Sequence, residues 1–577
     1  MKGLAKDKRE KAIIAALLVL SALASLTKLL IGFDIDEGYA LAMPYRLLQG
    51  DWLFRQMWEI HQTSSLLPAL VMLPFWKLTH SVRGMVLYVR IIALVIHLMM
   101  TVLVYRMLTE HEQPEKARRL CVWIPVLIYY NLLPKWMMSL DFSMQQLWGL
   151  TLICFCLWLE RKYKKASVTI LTGAALSLTV LGYIGMIVLY PAVLIWYLCI
   201  EQEEIKLRIK KAAVLTAACA VMALLFLALV FCKTDPARFL GSIPQIFADG
   251  THSLGIADRV LLYARQWLNV AKQWAVFLAA GGAFAFLVCK AGKIKGVLYP
   301  LTAAVITVTS LLLIGGELVG IRMGPFHFQS RLLLIALLLC LTIGSEKKGL
   351  KQLLKDGSLY TQICYLSAVS FLGILLFSNV GPDSSSSYLS LMLTVLFAAC
   401  LQTEHKAFEE GFTLAAAILF VLSVLFCKGF YVRYTEYFPA NILQHREAVA
   451  DGPQKGVYLL EEDLNTEREQ RKAIESVTAK VGSAMLLGTD QILDLSMQCR
   501  CICPSTISTP AFNEQWITYL EDYETALPDV IFISKNTVDD REKFFSQNVF
   551  GKWIAERYDT DGMQENDSIC WVYRKGV

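Results

Sequence analysis

The sequence predicts an all-α polytopic membrane protein of about thirteen transmembrane helices, followed by a C-terminal α/β domain. Three observations carry that prediction. Of 577 residues, 56% are hydrophobic and only 18% are charged, too apolar for a water-soluble globule and suited to many membrane spans. Apolar runs of roughly twenty residues recur from residue 12 to about residue 430 and then stop. The charge divides at the same place. Residues 431–577 hold 15 Lys and Arg against 24 Asp and Glu, a net of −9, while the remainder carries +15. The expected units are therefore a membrane domain, 1–430, and a soluble domain, 431–577. An acidic soluble part repels phosphate, which argues against a nucleic-acid partner.

The start, MKGLAKDKREK, is basic and leads into an apolar run. No convincing small-residue cleavage site follows before Asp36, so this is read as a retained first helix. The expected spans lie at about 12–32, 85–105, 120–138, 143–159, 167–182, 184–200, 212–232, 267–289, 296–314, 329–344, 359–378, 388–402 and 411–428. The run LLPALVMLPFWKLT, 66–79, is too short to span and reads as a juxtamembrane or re-entrant helix. With a cytoplasmic N-terminus, the inner segments hold 25 Lys and Arg. The outer segments are poorer in both, as the positive-inside rule requires. An odd span count then puts residues 431–577 outside the cell, on the side of Asp36.

Lys28, Arg90 and Lys272 are the charges inside the runs, each near enough to an end to snorkel. A transporter would more often show ionisable residues at the midplane. Polar chemistry instead collects in the outer segments. The first outer loop, 33–84, contains FDIDEGYALAMPYRLLQGDWLFRQMWEIHQTSSLLP. It is long for a connection between spans, and long loops are usually functional. Asp36 and Glu37 follow the first span directly, beside an expected aromatic lip of Tyr45, Trp52 and Trp58. They are either the carboxylates of a site or ordinary acidic residues at a helix start. Further outer segments carry Lys135 and Asp141 (KWMMSLDFS), then Asp249, His252 and Asp258, then Glu317, Arg322, His327 and Arg331. Arg331 reads equally as an interfacial anchor.

In 431–577, strands are expected at 456–462, in SAMLLG, at 529–534 and at 569–575. Helices are expected at 466–481 and 539–558, the latter burying Phe544, Phe545, Val549 and Ile554. No glycine-rich phosphate loop or nucleophile elbow is present. That leaves an accessory binding or lid role for this domain. Cys499, Cys501 and Cys503 alternate at i and i+2, unlike a Cys-x-x-Cys knuckle, and read as structural or free thiols.

The stretch DEGYALAMPYRLLQGDW resembles the first outer loop of the integral-membrane C-type glycosyltransferases, in particular the protein O-mannosyltransferase and lipid A aminoarabinose transferase branch. Arg90 sits where that family often has an arginine leading into its second span, and Asp141 where it has an acid after its third. His327 to Arg331 resembles its late outer loop. The chain departs at Gln62-Thr63-Ser64, so no catalytic lysine is carried over there. The resemblance implies a polyprenyl-phosphate-linked sugar donor and a glycan, lipid or protein acceptor at the outer face of the cell membrane. It makes Asp36 the base for the acceptor hydroxyl, with Glu37 and Asp141 holding the acceptor or a metal. Arg90, His327 and Arg331 would bind the donor's lipid phosphate. Glu59, His61, Gln62 and His252 would line the substrate loop, and a divalent metal, if used, would take Glu59, His61 and His252. Two other classes fit many spans with polar outer loops: a lipid-linked oligosaccharide flippase or polymerase, and a non-catalytic envelope-assembly protein.

Overall fold

A computed structural model describes all residues except 1, 111–118, 248–254, 293–297, 319–324, 347–357, 378–380, 382–385, 403–406, 431–444, 506–512, 524–526 and 577. A helix lies at each of the thirteen expected runs. Among the described residues, seven helices are long and apolar enough to cross a membrane by length and composition. These include α1 (Lys2–Leu30), α4 (Met85–Glu110) and α6 (Phe142–Tyr163). Five further apolar helices are shorter, among them Ala166–Gly182 and Ser390–Gln402. One expected run is cut. The helix there, α5 (Arg119–Asn131), stops short of 138, and Pro134 opens a 3-10 turn, Pro134–Trp136, because proline cannot donate the helical hydrogen bond.

Between α1 and α4 lie two helices of the first outer loop, α2 (Ile35–Gln49) and α3 (Leu66–Thr79). α2 ends on Gly50, whose φ of 110° lets its N–H reach the carbonyls of Arg46 and Leu47. α3 is the expected short apolar helix. It exposes Leu67, Leu70, Leu73 and Leu78, the face expected of a helix lying against lipid. A further helix, Pro236–Phe247, meets this loop where Phe239 packs edge-on to Phe54, centroids 4.8 Å apart.

The C-terminal part is built on a five-stranded sheet. Its strands are β3 (Ser483–Leu487), β4 (Arg500–Cys501), β5 (Val530–Ser534), β6 (Gln564–Glu565) and β7 (Ile569–Tyr573), in the order β4-β3-β5-β7-β6. β3 pairs parallel with β4 and β5, while β7 is antiparallel to β5 and β6. All five residues of β5 are buried, as expected of a strand covered on both faces. The expected strand at 456–462 shrinks to the pair β1 (Glu447–Ala448) and β2 (Tyr458–Leu459), and a helix begins at Glu461. The expected helix at 539–558 is two, Arg541–Gln547 and Val549–Arg557. Asn548 breaks it by capping the second helix, its Oδ1 accepting from the N–H groups of Phe550 and Gly551. The break shifts the helical phase. Phe550 and Trp553 turn inward with Phe544 and Ile554, and Val549 turns outward.

One apolar core runs without interruption from Met144 and Leu147 of α6, through Leu41, Trp58 and Met85, into Val449, Leu486 and Ile531. The C-terminal sheet is thus packed onto the first outer loop. Backbone bonds join the two: Gly32 N–H donates to Tyr458 O at 2.9 Å, Val86 N–H to Pro453 O at 3.1 Å and Trp58 N–H to Pro504 O at 2.7 Å. α2 also lies close against the turn Gln491–Ser496. A Cβ at Gly38 would come within 3.1 Å of Ile492 N.

Candidate functional site

The site grows from the first turn of α2. Asp34 caps the helix, its carboxylate accepting from Asp36 N–H at 2.9 Å. Asp36 and Glu37 therefore fall in the first turn, where the helix dipole favours negative charge. Successive residues on a helix point about 100° apart, so the two carboxylates face different surroundings.

Glu37 turns inward onto Arg90 of α4. The guanidinium grips it at both oxygens, Nε to Oε1 at 2.7 Å and Nη2 to Oε2 at 2.6 Å. Its remaining N–H groups donate to Leu29 O at 2.8 Å and Gly32 O at 2.7 Å. Both side chains are only 4% exposed. Arg90 neither snorkels nor presents an open fork to a phosphate. It ties the end of α1, the start of α2 and the body of α4 into one joint. Lys28 does not snorkel either: it is buried and donates to Trp136 O at 2.6 Å.

Asp36 turns the other way, towards the turn after α5. There Lys135 and Trp136 both hold left-handed backbone, with φ of 50° and 58°. Two adjacent non-glycine residues in that region are unfavourable, and such strain collects at functional sites. The turn delivers Lys135 Nζ to 3.0 Å from Asp36 Oδ2 and 3.9 Å from Asp141 Oδ2. The ammonium also rides over the Phe142 ring at 3.9 Å. Asp36 and Lys135 remain 28% and 22% exposed, whereas Asp141 is buried. Asp141 caps α6, accepting from Met144 N–H at 3.1 Å. Burial raises its carboxyl above the ordinary range, and Lys135 pulls it part of the way back. Of the carboxylates at this place, Asp36 combines a cation at hydrogen-bond distance with access from outside.

Aromatic rings wall the site. His61 stacks on Phe142 at 4.2 Å and on Tyr183 at 5.4 Å. Tyr388 donates to Ser143 Oγ at 2.8 Å, beside Asp141. A cleft on the far side of the joint is lined by Lys28, Asp34, Glu37, Arg90 and Trp136.

The other expected residues are differently placed. Gln62 is buried and its Oε1 accepts from Phe54 N–H at 2.8 Å, which holds the loop's shape. Glu59 accepts a bond from Ser505 of the C-terminal part. The aromatic lip is not one: Trp58 is 1% exposed and packs edge-on to Tyr519, and Tyr45 is also buried. Arg331 is buried with its guanidinium 4.3 Å from the Phe277 ring centroid. His252 and the side chain of His327 lie outside the described residues. Among the described residues, Glu59 and His61 belong to no group of three side chains close enough to share a metal. Between Asp36 and Asp141, the cationic atom in reach of both is Lys135 Nζ.

No family model and no curated protein matches the chain. Solved structures do. A crystal structure of the Archaeoglobus fulgidus oligosaccharyltransferase, tethered to an acceptor peptide containing an NVT sequon, matches with a TM-score of 0.50 and 12% identity. The match covers 94% of this chain and 72% of that one. The archaeal oligosaccharyltransferase AglB of the same organism, with an inhibitory peptide and a dolichol-phosphate, matches at TM-score 0.48 and 11% identity, covering 93% of this chain and 71% of that one. ArnT from Cupriavidus metallidurans in the apo state matches at TM-score 0.43 and 11% identity, covering 98% of each chain. At a TM-score of 0.50 the chain shares the fold of the Archaeoglobus fulgidus oligosaccharyltransferase.

The joint makes a stability prediction. Glu37→Gln leaves the Arg90 guanidinium buried without its counter-ion and should cost about 3–5 kcal/mol. Replacing both, as Glu37→Leu with Arg90→Met, should recover most of that loss. Thermal unfolding of the detergent-purified variants measures both, and a Glu37→Gln variant as stable as the parent would refute the joint.

Proposed function

We propose that the chain is a membrane glycosyltransferase that moves a sugar from a polyprenyl-phosphate donor to an acceptor hydroxyl or amine at the outer membrane face. The observation that carries this reading is the part-exposed Asp36–Lys135 pair, held against a buried Asp141 at the end of the first span. In an inverting displacement the acceptor oxygen attacks the anomeric carbon, and its proton passes to a carboxylate. The bond from that carbon to the phosphate oxygen breaks, and the lipid phosphate leaves with the electron pair. Asp36 is placed to take the proton. Lys135 is placed to meet the charge gathering on the phosphate, because its ammonium reaches the same opening. Glu37 and Arg90 serve position rather than chemistry in this reading, and Asp141 orients Lys135. The solved structure of the same fold supports it, since it is an oligosaccharyltransferase tethered with an acceptor peptide.

The same reading places thirteen spans in the membrane, the N-terminus inside, and residues 431–577 outside. The backbone bonds of Tyr458, Gly452 and Pro504 with Gly32, Gly84 and Trp58, in and beside the first outer loop, support a shared side for the two.

Asp36→Asn keeps size and hydrogen-bonding shape but cannot take a proton. Transfer from a polyprenyl-phosphate sugar should fall by about 10²–10⁴, or 3–5 kcal/mol of barrier. Donor binding by the same variant should persist. Lys135→Ala should weaken donor binding as well as transfer. Assays of binding and transfer on purified variants separate the two roles, and a fully active Asp36→Asn enzyme would remove the mechanism.

Sidedness is tested through Cys499, which is part-exposed whereas Cys501 is buried. A membrane-impermeant maleimide should label Cys499 in intact cells, located by peptide mass. Activity of a cytoplasm-only reporter fused after Val577 would reverse the assignment.

A further inference from the structure

Beneath α2, and apart from the Asp36 site, three side chains converge without a use in transfer chemistry. Cys501 ends β4, and Cys503 follows two residues on, so both thiols leave the extended chain on one face. Asp494 comes from the turn Gln491–Ser496 that packs against α2. Each of the three is 2% exposed. One ligand atom from each lies within 4.8 Å of the others.

We propose that Asp494, Cys501 and Cys503 form a zinc site that clamps α2 to the C-terminal sheet. The first argument is distance. The two Sγ atoms are 3.7 Å apart. Tetrahedral zinc with Zn–S bonds of about 2.3 Å sets two sulfurs about 3.8 Å apart. The second argument is the carboxylate. Neither oxygen of Asp494 has a hydrogen-bond partner, and a carboxylate buried in its charged form is either paired or coordinating. Here it faces two thiols, which as neutral groups offer it weak donors only.

Charge supplies the third argument. Two thiolates and a carboxylate sum to about −3, and a zinc ion reduces that to about −1. Arg46, itself 1% exposed, stands where the residue of that charge would fall, Nη1 donating to Cys503 Sγ at 3.4 Å. Hydrogen bonds of this kind to a ligand atom are what orient and tune metal sites. Arg46 is fixed in turn by Asp51 at 2.8 Å and by Gln56 O at 3.1 Å. Sulfur donors favour zinc over magnesium or calcium, and three protein ligands leave the fourth position to water. The i and i+2 spacing, which reads in sequence as free thiols, thus supplies two ligands while the third comes from another turn.

Arg46 lies ten residues along α2 from Asp36, about 15 Å on a continuous helix. Occupancy of the zinc site would therefore fix the register of the helix that carries the carboxylates.

The test is independent of transfer activity. Full-length protein purified in detergent without a polyhistidine tag is assayed for metal by mass spectrometry, and cobalt(II) is exchanged in. The expected result is about one zinc per chain and a sulfur-to-cobalt charge-transfer band. Cys501→Ser, Cys503→Ser and Asp494→Asn should each lower zinc affinity by at least about tenfold. A second measurement on the unmutated protein removes any question of variant folding: chelation should expose Cys501 and Cys503 to rapid alkylation. Unmutated protein that neither carries nor takes up zinc or cobalt overturns the proposal. So does recovery of Cys501 and Cys503 as a disulfide in the native protein.

Discussion

The interaction on which the rest depends is the buried grip of Arg90 on Glu37. Taking both charges out of water is costly, and such a pair is weak evidence for stability in itself. What it returns is position. Four N–H contacts from one planar group tie together three chain segments: the end of α1 with Gly32 just after it, the first turn of α2 and the second turn of α4. Because Glu37 is committed inward, the neighbouring Asp36, about 100° round the helix, faces a different surrounding. The accessible carboxylate is a geometric consequence of the inaccessible one.

The second constraint is backbone strain. Lys135 and Trp136 hold positive φ only because their surroundings over-determine them. Lys28 bonds the Trp136 carbonyl from α1, and Pro134 stops α5 just before the turn. The strained turn puts an ammonium between one open and one buried carboxylate. With Asp141 held by the α6 N-terminus and away from water, the charge of Lys135 falls mainly to Asp36. In the proposed transfer, this cation is the group that would meet the charge on a departing lipid phosphate.

The sequence made some of this legible and hid the rest for physical reasons. Helices sit where the apolar runs sit, because hydrocarbon thickness imposes a length that composition displays. Asp36 stood out because its chain position, straight after a span, is a local property. The Glu37–Arg90 pair did not, since 53 residues separate partners that each looked like a membrane-edge charge. Lys135 was visible beside Asp141, but nothing in PKW announces two left-handed residues. Trp58 and Tyr45 looked like a lip because their covering, the C-terminal part with Tyr519, lies more than 400 residues away. Asn548 hid a helix break inside a plausible helical stripe, so that Val549 turns outward and Phe550 and Trp553 turn inward, while Ile554 is buried as expected.

The C-terminal part is more than an appendage. Its apolar core is continuous with that of the first outer loop, and its segments at 453, 458, 492, 504 and 519 all meet that loop. A lid that opened freely would need its own closed core and a polar seam. Here the seam is apolar, and its polar members, such as Arg46 with Asp51 and Ser505 with Glu59, are paired across or beside it. Opening would strip apolar surface and leave Arg46 with part of its hydrogen bonding lost. The arrangement is that of a brace: a soluble sheet that stiffens α2 from outside while Arg90 fixes its start from within, so that Asp36 is held at both ends of its own helix.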